Sequence, residues 1–337
     1  MHDPDAPAIP GENIFGLPHG FADARIVLVP APFDATCSYG RGTSRGPEAV
    51  RAASCQLDLL DRRFGAVHDA GIYMEPHPAE IAELSERVGQ LVRPIALRGE
   101  AGPGDEATVR EIDAAGDRVE AFVANRVRSV LSAGKIPGVV GGEHSVSLGA
   151  IGAVADRHPG VGVLQIDAHM DLRSAYMGFA HSHASVIRNV IEKTPTLGPV
   201  LQVGIRDFAA GEAAAAEELG VGVFYWDDLA DSLLRGEAWV SIARRIVGEL
   251  PEQVYVTFDI DGLEPSLCPN TGTPVPGGLS WDMASVLLHE LAMSGRRVVG
   301  FDLVEVSPSS VANATPIDEI VGARLLYRLC GAAIGNA

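Results

Sequence analysis

The sequence predicts an α/β protein with three layers, in which a mostly parallel central sheet of about eight strands is covered by helices on both faces. Short apolar runs alternate along the chain with longer amphipathic segments, the pattern of strands and helices in parallel sheets. No linker, repeat or break in composition interrupts this alternation. A hydrophobic content of 47% supports a substantial core.

The domain organisation follows from the same pattern. A length of 337 residues allows one large domain or two smaller ones, and the unbroken alternation favours one. We therefore predict a single domain over residues 24–337, preceded by an irregular arm at residues 1–23 that is rich in Pro, Gly and Asp.

The predicted elements follow in order. The first strand is Arg25–Val29, and Pro47 suits the start of a helix over Glu48–Leu60. Further strands are predicted at 67–74, 136–140, 161–166, 199–205, 221–225, 253–258 and 297–304. Further helices are predicted from about Pro78 and over 106–133, 145–157, 183–193, 209–219, 236–249, 281–294 and 317–330. Ligands of such sheets bind at the carboxyl ends of the strands.

Composition excludes several classes of function. The net charge is −18, from 26 basic and 44 acidic residues, whereas a nucleic-acid-binding protein needs a basic stripe. No apolar run approaches the ~20 residues of a membrane span, and no secretory signal is visible. Four cysteines without CxxC spacing (Cys37, Cys55, Cys268 and Cys330) fit a reducing compartment. We expect a cytoplasmic protein that binds neither nucleic acid nor membrane.

Acidic and imidazole side chains follow three of the predicted strands. Gly141-Gly142-Glu143-His144-Ser145 follows the strand at 136–140, Asp167-Ala168-His169-Met170-Asp171 follows 161–166, and Asp259-Ile260-Asp261 ends 253–258. A spacing of two residues in extended chain places side chains on one face. Each motif alone has a simpler explanation, such as Ser145 capping the next helix, but three together favour a metal site.

The combined set contains two histidines and four aspartates. Four neighbouring carboxylates repel one another strongly unless cations are bound, and two divalent ions would balance their charge. An oxygen-rich set with two imidazoles suits Mn²⁺ better than structural zinc. Two such metals can share a water and lower its pKa, which suits hydrolysis at an electrophilic carbon.

These motifs resemble those of the ureohydrolase (arginase and agmatinase) family of binuclear manganese enzymes. Further matching segments are Ser182-His183-Ala184-Ser185, Phe258 to Ser266, Gly272-Thr273-Pro274, Gly277-Gly278-Leu279, Pro32-Phe33-Asp34 with Gly46-Pro47, and Val304-Glu305-Val306-Ser307-Pro308. The resemblance runs from about residue 25 to the C-terminus. It implies an arginase-like fold and a homo-oligomer, either a trimer or a hexamer.

The resemblance also implies a ligand set for two Mn²⁺ ions, with Ni²⁺ or Co²⁺ as alternatives. One ion would be held by His144, Asp167, Asp171 and Asp259, and the other by Asp167, His169, Asp259 and Asp261. Asp167 and Asp259 would bridge the two ions. A hydroxide between the metals would then attack the guanidino carbon of a small guanidino compound.

The resemblance implies catalytic roles for three residues. Asp261, or the carboxylate nearest the hydroxide, would accept the proton and pass it to the leaving nitrogen. His183 matches the proton-shuttling histidine, and His181 is a rival that we expect to be an exposed loop residue. Glu305 matches the acid that pairs with the substrate guanidinium, although a structural ion pair is the alternative.

The substrate stays open at the level of sequence. The loop at 172–182 lacks the arginase pattern, whereas the GGEHS and Pro-Phe-Asp segments resemble agmatinases, which convert agmatine to putrescine and urea. Arg173 would instead suit a carboxylated compound such as guanidinobutyrate, guanidinopropionate or formimidoylglutamate. Alternatively, Arg173 pairs with an acid such as Asp34. Arg173 and Asp34 are therefore candidate substrate-binding residues, together with Glu305.

Two hypotheses from other functional classes have less support in the sequence. A non-catalytic, metal-binding relative would not need the complete ligand set. A deacetylase-like hydrolase with one Zn²⁺ would carry paired histidines before the metal motif, and no such pair is found.

Overall fold

The computed structural model describes residues 13–311 and 314–335, and within them the chain forms one sheet of eight strands. The strands are β1 (Ile26–Ala31), β2 (Ile72–Met74), β3 (Ile136–Gly141), β4 (Gly162–Ile166), β5 (Val200–Ile205), β6 (Gly222–Tyr225), β7 (Gln253–Asp259) and β8 (Arg297–Val304). Their order across the sheet is β2-β1-β3-β8-β7-β4-β5-β6. All seven neighbouring pairs are parallel, so the predicted sheet is confirmed.

Ten helices flank the sheet in the described part of the chain. They are α1 (Gly46–Ser54), α2 (Ala79–Ala96), α3 (Glu106–Ser132), α4 (Ser147–Arg157), α5 (Val186–Lys193), α6 (Ala210–Leu219), α7 (Trp226–Leu234), α8 (Trp239–Gly248), α9 (Trp281–Met293) and α10 (Ile317–Ile334). Helices α2 to α6 share one hydrophobic core with one face of the sheet, and α1 and α7 to α10 share a second core with the other face. The three-layer architecture is therefore confirmed.

The strands are apolar because both of their faces are buried. In β1, Ile26 and Leu28 pack into the core beneath α1 and α10, whereas Val27 and Val29 pack into the core beneath α2 and α3. Side chains of a strand alternate between its two faces. Burial on both faces therefore produces the continuous apolar runs seen in the sequence.

Three predicted elements were wrong in extent. Only Ile72–Met74 is a strand in the predicted 67–74 segment, because Val67–Ala70 forms a 3-10 turn that ends at Gly71 with φ 74°. Helix α1 ends at Ser54 and not at Leu60, because the Ser54 hydroxyl bonds the Arg51 carbonyl and accepts from the Phe15 N–H. The helix predicted over 236–249 begins only at Trp239, as α8. In addition, helix α7 was not predicted.

The predicted N-terminal arm lies partly outside the described residues, which begin at Asn13. Its described part contains one 3-10 turn, Ile14–Gly16, and the side chains of Ile14, Phe15 and Leu17 are buried. The Asn13 side chain donates to the Ile72 carbonyl at 2.9 Å. Residues 13–17 therefore pack against the domain.

Among the described helices, none combines the length and the hydropathy that a membrane crossing requires.

The strand order decides where the chemistry-bearing motifs meet. Strands β3, β8, β7 and β4 are consecutive neighbours in the sheet. The segments that follow them carry His144, Glu305, Asp261 and Asp167, and β7 itself ends at Asp259. Because all four strands are parallel, these side chains emerge at one edge of the sheet.

Candidate active site

The first of two clusters at this edge surrounds the imidazole of His144. Its Nδ1 atom lies 3.0 Å from Oδ2 of Asp167, 3.0 Å from Oδ2 of Asp171 and 3.5 Å from Oδ2 of Asp259. All four side chains are nearly inaccessible to solvent. The structure thus brings together the four residues predicted to ligate one metal ion.

The second cluster surrounds His169. Its Nδ1 atom lies 3.1 Å from Oδ2 of Asp261 and 3.5 Å from Oδ1 of Asp167. The Asp261 carboxylate also accepts from the Ala168 N–H, at 3.1 Å, so the two loops are joined. Asp167 therefore lies between the clusters, with one oxygen near each histidine.

The orientation of the His144 ring is set by a chain of hydrogen bonds. The Thr257 hydroxyl donates to Asp302 at 2.7 Å, so it accepts from Nε2 of His144 at 2.8 Å. In the neutral imidazole, the Nδ1 atom of His144 is then the nitrogen without a proton. It makes no hydrogen bond although it is buried and surrounded by three carboxylates. A buried lone pair aimed at carboxylate oxygens fits a metal cation between them.

Electrostatics support the same conclusion. Burial and the Asp167 charge raise the pKa of Asp171 to about 7, and burial with Asp261 and Asp167 raises the pKa of Asp259 well above its usual range. These carboxylates therefore disfavour ionisation when no cation is present. Two divalent cations would offset the four aspartate charges, so the donor set fits a pair of metal ions.

Two polar side chains inside the strands support the clusters, and neither was predicted from the sequence. Gln165 donates to Oδ2 of Asp167 at 2.8 Å, and Thr257 orients His144. Each lies two residues before a predicted ligand in an otherwise apolar strand, so it shares that ligand's face. A polar residue at this spacing is the signal that could have identified them.

Glu305 is buried beside the predicted metal ligands. Its Oε1 atom accepts from the backbone N–H of His144 at 2.8 Å, and burial together with Asp259 and Glu143 raises its pKa well above the usual range. Glu305 and Asp171 both adopt left-handed backbone, with φ 62° and 55°, which is uncommon for residues other than glycine. Such conformations concentrate at functional sites.

Gly142 is required by close packing. A Cβ atom at this position would lie 2.0 Å from the Phe33 carbonyl oxygen, so no other residue fits. The approaching group is the Phe33 backbone, and the Gly142 carbonyl accepts from the Glu305 N–H at 2.8 Å. Gly142 therefore helps to fix Glu305.

His183 and His181 have different environments. The Nε2 atom of His183 lies 3.3 Å from the Ser38 hydroxyl, and burial together with the positive charge of His169 lowers its pKa to about 4. His181 was expected to be exposed, and this is wrong. Its side chain packs on Gly116 of α3 and pairs with Asp117 at 2.9 Å. His183 lines a cavity beside the two clusters, as the proton-shuttle prediction requires.

A cavity of about 450 Å³ opens beside the two clusters. Its lining consists of His169, Asp171, Arg173, Tyr176, His183, Ala184, Asp207, Phe208, Ala209, Glu212, Thr273, Pro274 and Val275. Asp207 is 70% exposed, and its carboxylate lies 4.0 Å from Nε2 of His169. The cavity therefore adjoins the predicted metal centre, and its wall contains both acidic and apolar side chains.

Arg173 lines this cavity, but its partner is not the one suggested from sequence. Its guanidinium lies 3.4 Å from Oε2 of Glu212 and stacks on the Tyr176 ring at 4.8 Å. Asp34 instead pairs with Arg41 at 2.7 Å and accepts from Ser85 and from the Gly42 N–H. Because Asp34 is buried and its oxygens are engaged, its suggested contact with substrate is corrected to a structural role.

Comparisons with known proteins agree with this geometry. A sequence model described as the arginase family matches residues 24–331. The chain is 34% identical to N(1)-aminopropylagmatine ureohydrolase of Synechocystis sp., over 92% of this chain and 90% of that protein. It is 34% identical to guanidinopropionase of Pseudomonas aeruginosa, over 91% and 86%. The crystal structure of agmatine ureohydrolase of Thermoplasma volcanium superposes with a TM-score of 0.71 at 26% identity, covering 94% and 92%.

Proposed function

This chain belongs to the arginase family and is a hydrolase of guanidino compounds, and we propose that its substrate is agmatine or an agmatine carrying a further cationic group on its amine. The reaction would add water across the guanidino carbon and break the bond from that carbon to the alkyl nitrogen. The products would be urea and the amine, which is putrescine when agmatine is the substrate.

We propose that two divalent metal ions, most simply Mn²⁺, complete the site. His144, Asp167, Asp171 and Asp259 would hold one ion, and Asp167, His169, Asp259 and Asp261 would hold the other. When bound, such a pair supplies an acidified water as the nucleophile. The unbonded Nδ1 atom of His144, buried among three carboxylates, is the observation that supports this assignment.

We assign the remaining roles to Glu305, Asp261 and His183. Oε1 of Glu305 already accepts from the His144 N–H, so Oε2 would accept from the substrate guanidinium and fix the orientation of its plane. Asp261 would take a proton from the attacking water and deliver it to the leaving nitrogen. His183 is neutral at pH 7 because its pKa is lowered to about 4. Its imidazole can therefore accept a proton at one nitrogen while donating at the other.

The preference for a cationic substrate rests on the charges of the cavity wall. Asp171, Asp207 and Glu212 line the cavity together with a single described arginine, Arg173. Glu212 lies 3.4 Å from Arg173 and offsets its charge, so the exposed Asp207 is available to attract the distal amine. Phe208, Pro274 and Val275 offer apolar surface to the methylene chain.

A carboxylated guanidino acid is the second candidate, since one observation favours it. The Arg173 side chain is 37% exposed and lies in the cavity wall. A substrate carboxylate could therefore replace Glu212 as the partner of the Arg173 guanidinium. Guanidinobutyrate and guanidinopropionate are substrates of this type.

A substrate panel separates the two candidates. The protein loaded with Mn²⁺, and in parallel with Ni²⁺, would be assayed for urea or ammonia release from agmatine, N(1)-aminopropylagmatine, arginine, 4-guanidinobutyrate, 3-guanidinopropionate and formimidoylglutamate. The proposal predicts the highest kcat/KM for one of the first two compounds, and a loss of that activity in Asp207→Asn. Preference for a guanidino acid, abolished by Arg173→Met, would establish the second candidate. The predicted trimer or hexamer stays a prediction, which the molar mass in solution would test.

A further inference from the structure

A second cavity, of about 360 Å³, lies at the opposite edge of the sheet from the candidate active site. It is formed where β1, β3 and β8 begin and where α3, α4 and α10 end. Its charged and titratable lining residues are Arg25, Lys135, Arg157, His158, Arg296 and Arg297. Among the described residues that line it, none is an aspartate or a glutamate.

This concentration of positive charge is unusual for the chain that contains it. The protein has a net charge of −18 and 26 basic residues in total, yet five of these basic residues meet at one cavity. Among these basic residues, Arg297 forms an ion pair with Glu252 across 3.8 Å, and both side chains are largely exposed. Within residues 13–311 and 314–335, no ion pair joins Arg25 or Arg157 to a carboxylate.

Two of the cations are held in place by neutral groups. Lys135 donates to the carbonyls of Ala22 and Ala24 at 2.9 and 2.6 Å. Arg296 donates to the carbonyls of Leu250 and Gly248 at 2.8 and 3.0 Å. Carbonyl oxygens fix these side chains but do not neutralise them, so their charge is available to a ligand.

The negative ends of helix dipoles offset only part of this positive charge. The three helix ends at the cavity each carry about −0.5 elementary charge, or about −1.5 together, against +5 from the lysine and arginines. The remaining positive charge acts on His158, because burial and the neighbouring charges of Arg157 and Arg297 lower its pKa. The local field is therefore positive even in this acidic protein.

We propose that this cavity is a binding site for a small phosphate-bearing anion with at least two phosphate groups. Arginine forks bind phosphate oxygens in pairs, and Arg25, Arg157 and Arg297 leave several such donors free of strong partners. The shared chemistry is a diphosphate, either inorganic pyrophosphate or the diphosphate of a nucleotide. Neither the metal ligands nor the substrate cavity takes part.

Calorimetric titration of the metal-loaded protein at low ionic strength tests this proposal. Pyrophosphate and ADP would be titrated separately into the wild type, into R25Q/R157Q, and into R62Q/R235Q, which removes two exposed arginines that do not line this cavity. We expect saturable pyrophosphate binding that is at least tenfold weaker in R25Q/R157Q and unchanged in R62Q/R235Q. ADP affinity within threefold of pyrophosphate would identify a nucleotide, and much weaker ADP binding would identify the inorganic ion.

Two results would overturn the proposal. The first is an absence of saturable binding to the wild type at millimolar pyrophosphate. The second is equal affinity in the wild type and R25Q/R157Q, because binding through the metal centre would persist in that variant. Both altered arginines are exposed, and a thermal melt of each variant would verify that the fold is retained.

Discussion

The hydroxyl of Thr257 lies 2.8 Å from Nε2 of His144, and it donates in turn to Oδ1 of Asp302 at 2.7 Å. Because the hydroxyl proton points to Asp302, the oxygen accepts from the imidazole N–H. In the neutral imidazole, the opposite nitrogen of His144 therefore carries no proton, and it faces Asp167 and Asp171. A residue buried in a strand thus decides which nitrogen of the predicted ligand is available to a metal.

The first prediction concerns this threonine. Thr257→Val keeps the shape of the side chain but removes the acceptor for the His144 N–H, so the ring is no longer held in one tautomer. Loss of such a supporting hydrogen bond typically weakens metal affinity about 10- to 100-fold. Titration with Mn²⁺ would measure the change. Thr315→Val alters an exposed threonine and should leave affinity unchanged. Equal affinity in Thr257→Val and the wild type would contradict the assignment.

The second prediction concerns Glu305. Glu305→Gln keeps an acceptor for the His144 N–H but loses the negative charge that would pair with the guanidinium. Hydrogen bonds to charged groups contribute about 1.5–3 kcal/mol, so kcat/KM for the preferred substrate should fall roughly 10- to 100-fold. Metal content should stay the same. A kcat/KM within threefold of the wild type would show that Glu305 does not bind the guanidinium.

The third prediction separates the two neighbouring histidines. His183→Asn should lower kcat about 100-fold or more, as expected for loss of a proton-transferring group, with little change in KM. His181→Asn is the matched control, because His181 pairs with Asp117 on α3 and does not line the substrate cavity. Steady-state kinetics together with thermal melts would measure both. A large loss of kcat in His181→Asn alone would reverse the assignment.

The fourth prediction is the pH dependence of stability that Asp34 provides. Burial opposes ionisation, but Arg41 at 2.7 Å and the Gly42 N–H lower the pKa of Asp34 below its usual value. Its contribution should therefore be complete above the unfolded-chain pKa of about 3.9 and lost as the pH falls through the lower folded value. Asp34→Asn should cost about 2 kcal/mol in free energy of unfolding at pH 7 and less below pH 4.

Urea denaturation at pH 7, 5 and 3 would test this dependence. Asp58→Asn, at an exposed position, serves as the control and should change stability little at any of these pH values. A cost in Asp34→Asn that stays constant or grows as the pH falls would contradict the role of the Arg41 pair.

The predicted ligands could be read from the sequence because each motif follows a buried strand. Asp167 to Asp171 and Asp259 to Asp261 are local patterns, and parallel strands bring their carboxyl ends to one edge. The strand order that makes β3, β8, β7 and β4 neighbours is not local. For that reason, the contact between Glu305 and His144 was not predicted.

The partners of charged side chains were less predictable. Glu212, which offsets Arg173, lies 39 residues further along the chain and enters the cavity from helix α6. His181 seemed to belong to an exposed loop, yet Gly116 on α3 leaves room for its ring. Helix α7 begins at Trp226, directly after β6, without the turn that usually separates a strand from a helix. These features depend on tertiary contacts that periodicity does not encode.

The central claim is that two clusters sharing Asp167 hold two metal ions that support hydrolysis of a guanidino compound. Stepwise addition of Mn²⁺ to the metal-free protein, with metal content and urea release from agmatine measured on the same samples, tests it most directly. We predict that two ions bind per chain, that activity rises until the second is bound, and that Asp167→Asn weakens both. Full activity with one ion per chain, or two bound ions without hydrolysis of any guanidino compound in the panel, would contradict the account.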